Sequence, residues 1–168
     1  MGVLSSELLA IQNPALGAVA LWSFADEYFE ASPTHEGPPL QLLFVILPLV
    51  FDEETRTAAV TTRKSSGLRA FADKLSAAKA AKSDLILALQ GRVPKYRTLT
   101  MQSLRFLLRA SMGSVDPSSG RLLPSKARGV KQEVAASISP IVTAARHLGG
   151  WTSALSLYET AVILRLSF

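Results

Sequence analysis

The chain contains no cysteine, so disulfides, thiolate metal sites and cysteine nucleophiles are all excluded. A cysteine-free chain fits a reducing cytosol, and a cytoplasmic location is the expectation. Basic residues are missing from a long stretch: residues 1–55 hold no Lys or Arg. Met1–Ala20 therefore lacks the basic region of a secretory signal. Long apolar runs are absent too. The longest, Leu40–Phe51, is interrupted by Pro48 and bounded by Pro38-Pro39 and Asp52-Glu53-Glu54. A membrane span needs about 20 apolar residues, so no membrane partner is expected.

What is present is a charge split along the chain. Residues 1–55 carry Glu7, Asp26, Glu27, Glu30, Glu36, Asp52, Glu53 and Glu54, a balance of −8. Residues 56–168 carry all 18 cations against five acids, a balance of +13. Such asymmetry suggests two partners of opposite sign or self-association, against the plainer reading of two solvated faces. With 168 residues and 48% hydrophobic content, the chain suits one domain with a sizeable core.

Asn13-Pro14 reads as a helix start within Leu4–Glu30, with Pro14 in the first turn. Ala31–Pro39 is too rich in Pro and Gly for regular structure. Leu40–Val60 follows as one helix, apolar on nearly every side, and Thr61–Gly67 as a linker. Leu68–Gly91 suits a helix with a break near Lys82-Ser83-Asp84. Val93-Pro94-Lys95-Tyr96-Arg97 reads as a basic turn. Thr98 or Thr100 then caps a helix through Met112, with Met101, Leu104, Leu107 and Leu108 on its inner face and Gly113 at its end. Val115 and Leu122 flank Asp116-Pro117-Ser118-Ser119-Gly120, a turn that suggests a β-hairpin. Val130–Leu148 is a helix that bends at Pro140. Gly149-Gly150 breaks it, and Trp151–Leu164 resumes an apolar amphipathic segment.

The fold class is thus mainly α (α+β): a helical bundle with a winged helix-turn-helix-like unit and a small hairpin wing. Within the single domain, residues 1–60 form an acidic apolar part and 61–91 connecting helices. A basic winged-helix-like part spans 92–131, and C-terminal helices span 132–168.

Catalytic patterns are scarce. His35 and His147 lack a metal-ligand neighbour at helical spacing, so no metal and no cofactor are expected. No P-loop, nucleophile elbow or dinucleotide fingerprint occurs. Asp52, Glu53 and Glu54 point in different directions on a helix and do not converge. A hydrolase would need a pocket uniting Asp26, Glu27 or Asp52 with a base or a metal. The basic segment is the better candidate. Residues 92–131 hold nine cations against Asp116 alone, a balance of +8. Gln102, Arg105 and Arg109 share one helix face. As a recognition surface they would meet phosphates, base edges or an acidic protein, joined by Lys95 and Arg97 ahead of the helix, Arg121 in the wing, and Lys126 and Arg128 behind it.

Three ordered segments carry a family resemblance. Asn13-Pro14-Ala15 opens a helix that ends in Phe24-Ala25-Asp26-Glu27-Tyr28. Leu47-Pro48-Leu49 sits in an apolar helix followed by Thr55-Arg56. Ala145-Arg146-His147-Leu148-Gly149-Gly150-Trp151 closes the pattern. In this order the chain resembles the middle component of three-component ABC ATPase systems, a bacterial conflict class related in layout to Lamassu-type defence. Ala161–Phe168 departs from the family's short leucine–glycine–valine close. The resemblance implies a non-catalytic adaptor that bridges a DNA-sensing ATPase of the ABC or chromosome-maintenance type and an effector. The basic half would face DNA or an acidic ATPase surface. The acidic half would face a basic partner or a second copy, as a homodimer. Asp26, Glu27, Tyr28 and Trp151 are the protein-interface candidates, with Trp151 weighted towards the core. The alternative is a free-standing winged-helix transcription regulator that binds a specific operator.

Overall fold

The computed structural model describes residues 13–77, 85–126 and 136–168. Among these the chain forms seven α-helices and one two-stranded hairpin. The helices are α1 (Pro14–Ala31), α2 (Leu40–Val50), α3 (Glu53–Thr61), α4 (Gly67–Ala77), α5 (Leu85–Arg109), α6 (Ser139–Thr152) and α7 (Leu157–Leu164). Strands β1 (Gly113–Asp116) and β2 (Arg121–Pro124) lie between α5 and α6, and a single 3₁₀ turn (Lys64–Ser66) precedes α4. The fold is mainly α with a small β element, as expected.

Helix α1 starts where the sequence indicates. The Asn13 side chain accepts hydrogen bonds from the amides of Ala15 (3.0 Å) and Leu16 (3.2 Å), and Pro14 occupies the first turn. Its buried positions run unbroken from Ala20 to Ala25, so it is covered on all sides and not along one stripe. Among the described elements the most extensive packing is α6 on α1, followed by α5 on α1. Both partners approach at glycines. A Cβ on Gly149 of α6 would lie 2.4 Å from the Phe24 carbonyl oxygen and 3.0 Å from the Tyr28 nitrogen. A Cβ on Gly17 of α1 would lie 2.0 Å from Ser103 Oγ on α5.

That contact corrects one expectation. Gly149-Gly150 does not break the helix; α6 runs through both residues to Thr152. The glycine is there for backbone contact with α1, which outweighs its helix cost of about 1 kcal/mol. Pro140 lies in the first turn of α6 and does not bend it, although residues 130–135 of the expected helix lie outside those described.

Leu40–Val60 is two helices and not one. Asp52 caps α3 by accepting the Thr55 amide at 3.0 Å, with Glu53 and Glu54 in the first turn where the helix dipole favours acids. The expected basic turn at 93–97 is also absent, because these residues lie inside the 25-residue helix α5. Pro94 is tolerated there on the exposed side, while Leu85, Ile86 and Leu89 before it and Leu99 and Leu107 after it anchor both halves in the core. Neither Thr98 nor Thr100 caps a helix. Of the inner-face residues expected, Leu107 is buried and Leu104 half-buried, whereas Met101 and Leu108 are exposed. The buried face runs instead through Leu99, Thr100, Ser103 and Leu107. The break expected near Lys82-Ser83-Asp84 lies outside the described residues. Helix α5 ends at Arg109, before Met112, and Ser111 takes the left-handed conformation (φ 57°) beyond it.

The hairpin forms as expected, with Val115 opposite Leu122. It is tied down and does not project as a wing. Leu122 donates to the Pro38 carbonyl (3.0 Å), Leu40 donates to the Gly120 carbonyl (3.0 Å), and Trp22 Nε1 donates to the Ser125 carbonyl (3.0 Å). In the turn, Asp116 accepts from Ser119 Oγ (2.7 Å), Ser118 Oγ (2.7 Å) and the Ser118 amide (3.0 Å). These bonds, that of Ser119 foremost, hold its carboxyl down from the ordinary 3.8 to about 2.

Two outcomes follow from these contacts. Gly149→Ala lowers stability in urea denaturation by about 1–3 kcal/mol, the range for overpacked sites. Gly150→Ala, whose new methyl meets the flexible end of Lys64 at 3.3 Å and the Glu27 side chain at an ordinary 3.8 Å, is neutral or gains up to about 1 kcal/mol. Because the Asp116 pKa is depressed on folding, its contribution is complete above 3.8 and is lost as pH falls through about 2. Asp116→Ala is therefore less stable than the parent at neutral pH, and denaturation at stepped pH shows the gap closing in that acid window.

Candidate functional site

The acidic half of the chain is answered in part by the basic half. Arg146 of α6 reaches Asp26 Oδ2 (3.3 Å) and Glu27 Oε2 (3.5 Å), with its guanidinium 5.9 Å from the centre of the Trp22 ring. Lys64 pairs with Glu27. Arg92 of α5 pairs with Asp52 at 3.0 Å, and Arg121 of β2 with Glu36 at 3.4 Å. Four of the eight N-terminal acids are thus held by cations from later in the chain. The split in the sequence is in good part the trace of how the two halves fasten together.

Two of the nine cations of the basic segment are structural by their contacts. Arg92, with only 17% of its side chain exposed, also donates to the Pro48 carbonyl (3.2 Å). Arg121 donates to the Gly37 carbonyl (2.7 Å), whose residue lies so close to β2 that a Cβ would fall 1.8 Å from the Leu122 oxygen. Arg128 and Lys131 lie outside the described residues. Lys126 is exposed beyond β2.

The remaining four gather on one element. Lys95, Arg97, Arg105 and Arg109 are all exposed on α5, with Gln102 beside them. Between Leu85 and Val115 the sequence has no acid at all, and among the described residues none of these four makes an ion pair. Continuous helix brings together Lys95 and Arg97, expected in a turn, with Gln102, Arg105 and Arg109. Exposed apolar side chains interleave with them: Leu87 (62%), Met101 (41%), Phe106 (45%) and Leu108 (37%). Open grooves flank the helix, one lined by Pro14, Gln102, Arg105, Phe106 and Arg109, the other by Leu40, Phe44, Val93, Arg97 and Phe168.

The other interface candidates are situated differently. Asp26 and Glu27 are engaged with Arg146 and Lys64, while Tyr28 and Trp151 are buried. Trp151 Nε1 donates to the Lys64 carbonyl (2.8 Å), and its ring packs 5.5 Å from Phe71 and 5.4 Å from His147. His147 Nδ1 sits 2.9 Å from the Ala59 carbonyl. His35, left-handed at φ 50°, packs on Phe29 at 5.8 Å. Sequence reasoning missed the apolar component of the α5 surface, although the acid-free run from Leu85 to Val115 was visible. It also missed the Arg146 cluster, which only the tertiary pairing of α1 and α6 creates.

Among the described residues no group of three or more His, Asp or Glu side chains is placed to hold a metal ion, and no helix is long and apolar enough to cross a membrane. The fold and its surface define a mainly helical module whose most distinctive exposed feature is one cationic, partly apolar helix. The chain belongs to the Middle Component 3 family of ABC-three component (ABC-3C) systems, whose family model matches residues 1–168. No curated protein and no solved structure matches it.

The division between structural and free cations has a direct consequence. Arg92→Ala removes the ion pair to Asp52 and the hydrogen bond to the Pro48 carbonyl and lowers stability by about 1–3 kcal/mol. Arg105→Ala and Arg109→Ala stay within about 0.5 kcal/mol of the parent in the same denaturation assay.

Proposed function

We propose that this chain is a non-catalytic adaptor within its ABC-3C system, linking a DNA-sensing ABC or chromosome-maintenance-like ATPase to an effector in anti-phage defence. Membership of a middle-component family supports the assignment to such a system. The observation that carries the adaptor reading is the acid-free outer face of α5, where four cations and exposed apolar side chains share one rigid helix. A surface of that kind suits docking to an acidic partner or to DNA. The interface residues in this reading are Lys95, Arg97, Gln102, Arg105 and Arg109, with Lys126 exposed beyond β2. The paired Asp26 and Glu27 and the buried Tyr28 and Trp151 act through the fold.

A free-standing winged-helix regulator has less support, since α5 is continuous where a helix-turn-helix needs a turn and the hairpin is tied to the body. The test is co-expression with the ATPase and effector components followed by size-exclusion chromatography. The expected result is co-migration at micromolar concentration, weakened by raised salt and by Arg105→Glu with Arg109→Glu. Failure of the parent chain to co-migrate with either component sinks the adaptor reading. Tight binding to one DNA sequence over random DNA would instead revive the regulator.

A further inference from the structure

The exposed face of α5 has a periodicity that its charge conceals. Leu87, Pro94, Met101 and Leu108 recur at every seventh residue, and all four are exposed. A strict seven-residue repeat drifts by only about 20° per heptad on a straight helix, so the four form one nearly axial stripe. From Leu87 to Leu108 that stripe is about 32 Å long at 1.5 Å per residue. The buried side of the same helix is separate and complete: Leu85, Ile86, Leu89, Leu99, Thr100, Ser103 and Leu107 face the core. The stripe is therefore a second apolar seam on a helix whose first is already used.

Cations border the seam on both sides. Arg97 lies on one flank, beside the groove lined by Phe44, Val93 and Pro94. Arg105 and Arg109 lie on the other, beside the groove lined by Pro14 and Phe106. No acid of α5 offsets them. A central apolar line with charged flanks is the pattern by which one helix receives another in a coiled coil, where seam residues pack and flanking charges select the partner.

We propose that the Leu87–Pro94–Met101–Leu108 seam is a docking site for an acidic amphipathic helix of another protein in the system, packed lengthwise along α5. The proposal rests on the adaptor reading and specifies its contact. Charge complementarity fixes the sign of the partner's flanks as negative, and the seven-residue spacing fixes its form as a helix of about three heptads. Nucleic acid is the poorer occupant. Phosphates call for cations along the centre of the contact, whereas here leucine and methionine occupy the centre and would be pressed against a charged backbone.

The experiment uses the full chain with the other purified components of its own system, and a random-sequence DNA duplex as a second probe. Two double variants separate the parts of the seam: Met101→Asp with Leu108→Asp, and Arg97→Glu with Arg105→Glu. All four positions are exposed, and thermal melting confirms that the fold is retained; Tyr158→Asp, at a 77% exposed position on α7, is the control. Both double variants are expected to weaken protein–protein assembly at least about tenfold, the loss typical of interface centres, while Tyr158→Asp does not. A photo-crosslinker placed at Met101 is expected to map to a helical partner segment with Asp or Glu flanking apolar residues at heptad spacing. Should the aspartates lower the melting temperature, the milder pair Met101→Ser with Leu108→Ser is expected to weaken assembly in the same way. Assembly with undiminished affinity in both variants overturns the seam while leaving the adaptor reading intact, as does a crosslink to a segment without acids. Loss confined to DNA binding and to the arginine variant overturns it in favour of nucleic acid. If the parent chain assembles with no component, the adaptor reading fails and the seam falls with it.

Discussion

The architecture depends on how closely two helices approach α1. A helix buried from Ala20 to Ala25 without interruption has no solvent side to accommodate loose neighbours, so its partners must come near enough to close every gap. Gly149 brings the backbone of α6 against the backbone of α1, and Gly17 receives Ser103 of α5. The flanking residues of α6 repeat the theme, since Ala144 and Ala145 are fully buried. Small residues at the crossings let large ones, Phe24 and Leu21 on α1 and Leu107 on α5, fill the space around them. The buried hydroxyls of Thr100 and Ser103 make no hydrogen bond, an energetic cost the close packing has to offset.

Once α1 is enclosed, the charge distribution becomes intelligible. The acids at its C-terminal half meet Arg146 and Lys64 because α6 and the 3₁₀ turn cross there. Asp52 meets Arg92 because α5 packs along α2. Glu36 meets Arg121 because the hairpin is laced to the loop before α2. Each pair is partly exposed and modest by itself. Together they engage half the N-terminal acids, while Lys95, Arg97, Arg105 and Arg109 on the outside of α5 face no acid of their own helix. Part of the asymmetry that first suggested two partners of opposite sign is thus an internal fastening, while Glu30, Glu53 and Glu54 stay exposed.

Local chemistry was legible in the sequence, and contacts between distant segments were not. Asn13-Pro14 and the Asp116–Gly120 turn act through their own side chains and backbone angles, so the start of α1 and the hairpin followed from the residues alone. Asp52-Glu53-Glu54 was readable as a cap with acids in a first turn, but the apolar run before it obscured the boundary. Pro94 and Gly149-Gly150 misled for a common reason. Each is a helix breaker by intrinsic preference, and each sits in a helix because tertiary packing outweighs about 1–3 kcal/mol of local cost. The candidate site suffered twice: a turn placed at 93–97 cut Lys95 and Arg97 off from the helix, and the sequence pattern points Met101 and Leu108 inward although the buried face runs through Leu99, Thr100, Ser103 and Leu107. The identities of Lys95, Arg97, Gln102, Arg105 and Arg109 were readable; joining Lys95 and Arg97 to the other three on one element needed the continuous helix.

In the proposed reading helix α5 does two things with two sides, and the first would make the second effective. Its inner side is held at intervals along its length: Arg92 on Asp52 and the Pro48 carbonyl, Ser103 against Gly17, Leu107 beneath Gly113. A helix fixed at several points presents its outer side chains in one arrangement before any partner arrives. Much of the ordering cost of association, about 0.5–1.5 kcal/mol for each flexible side chain immobilised, falls on the long cations, while the backbone beneath them needs no rearrangement. Affinity at such a surface then depends on the match of spacing and charge, so the regularity of the exposed face matters more than the size of its net charge. A basic patch scattered over loops would attract the same acidic partners but would not set their direction; a rigid helix can.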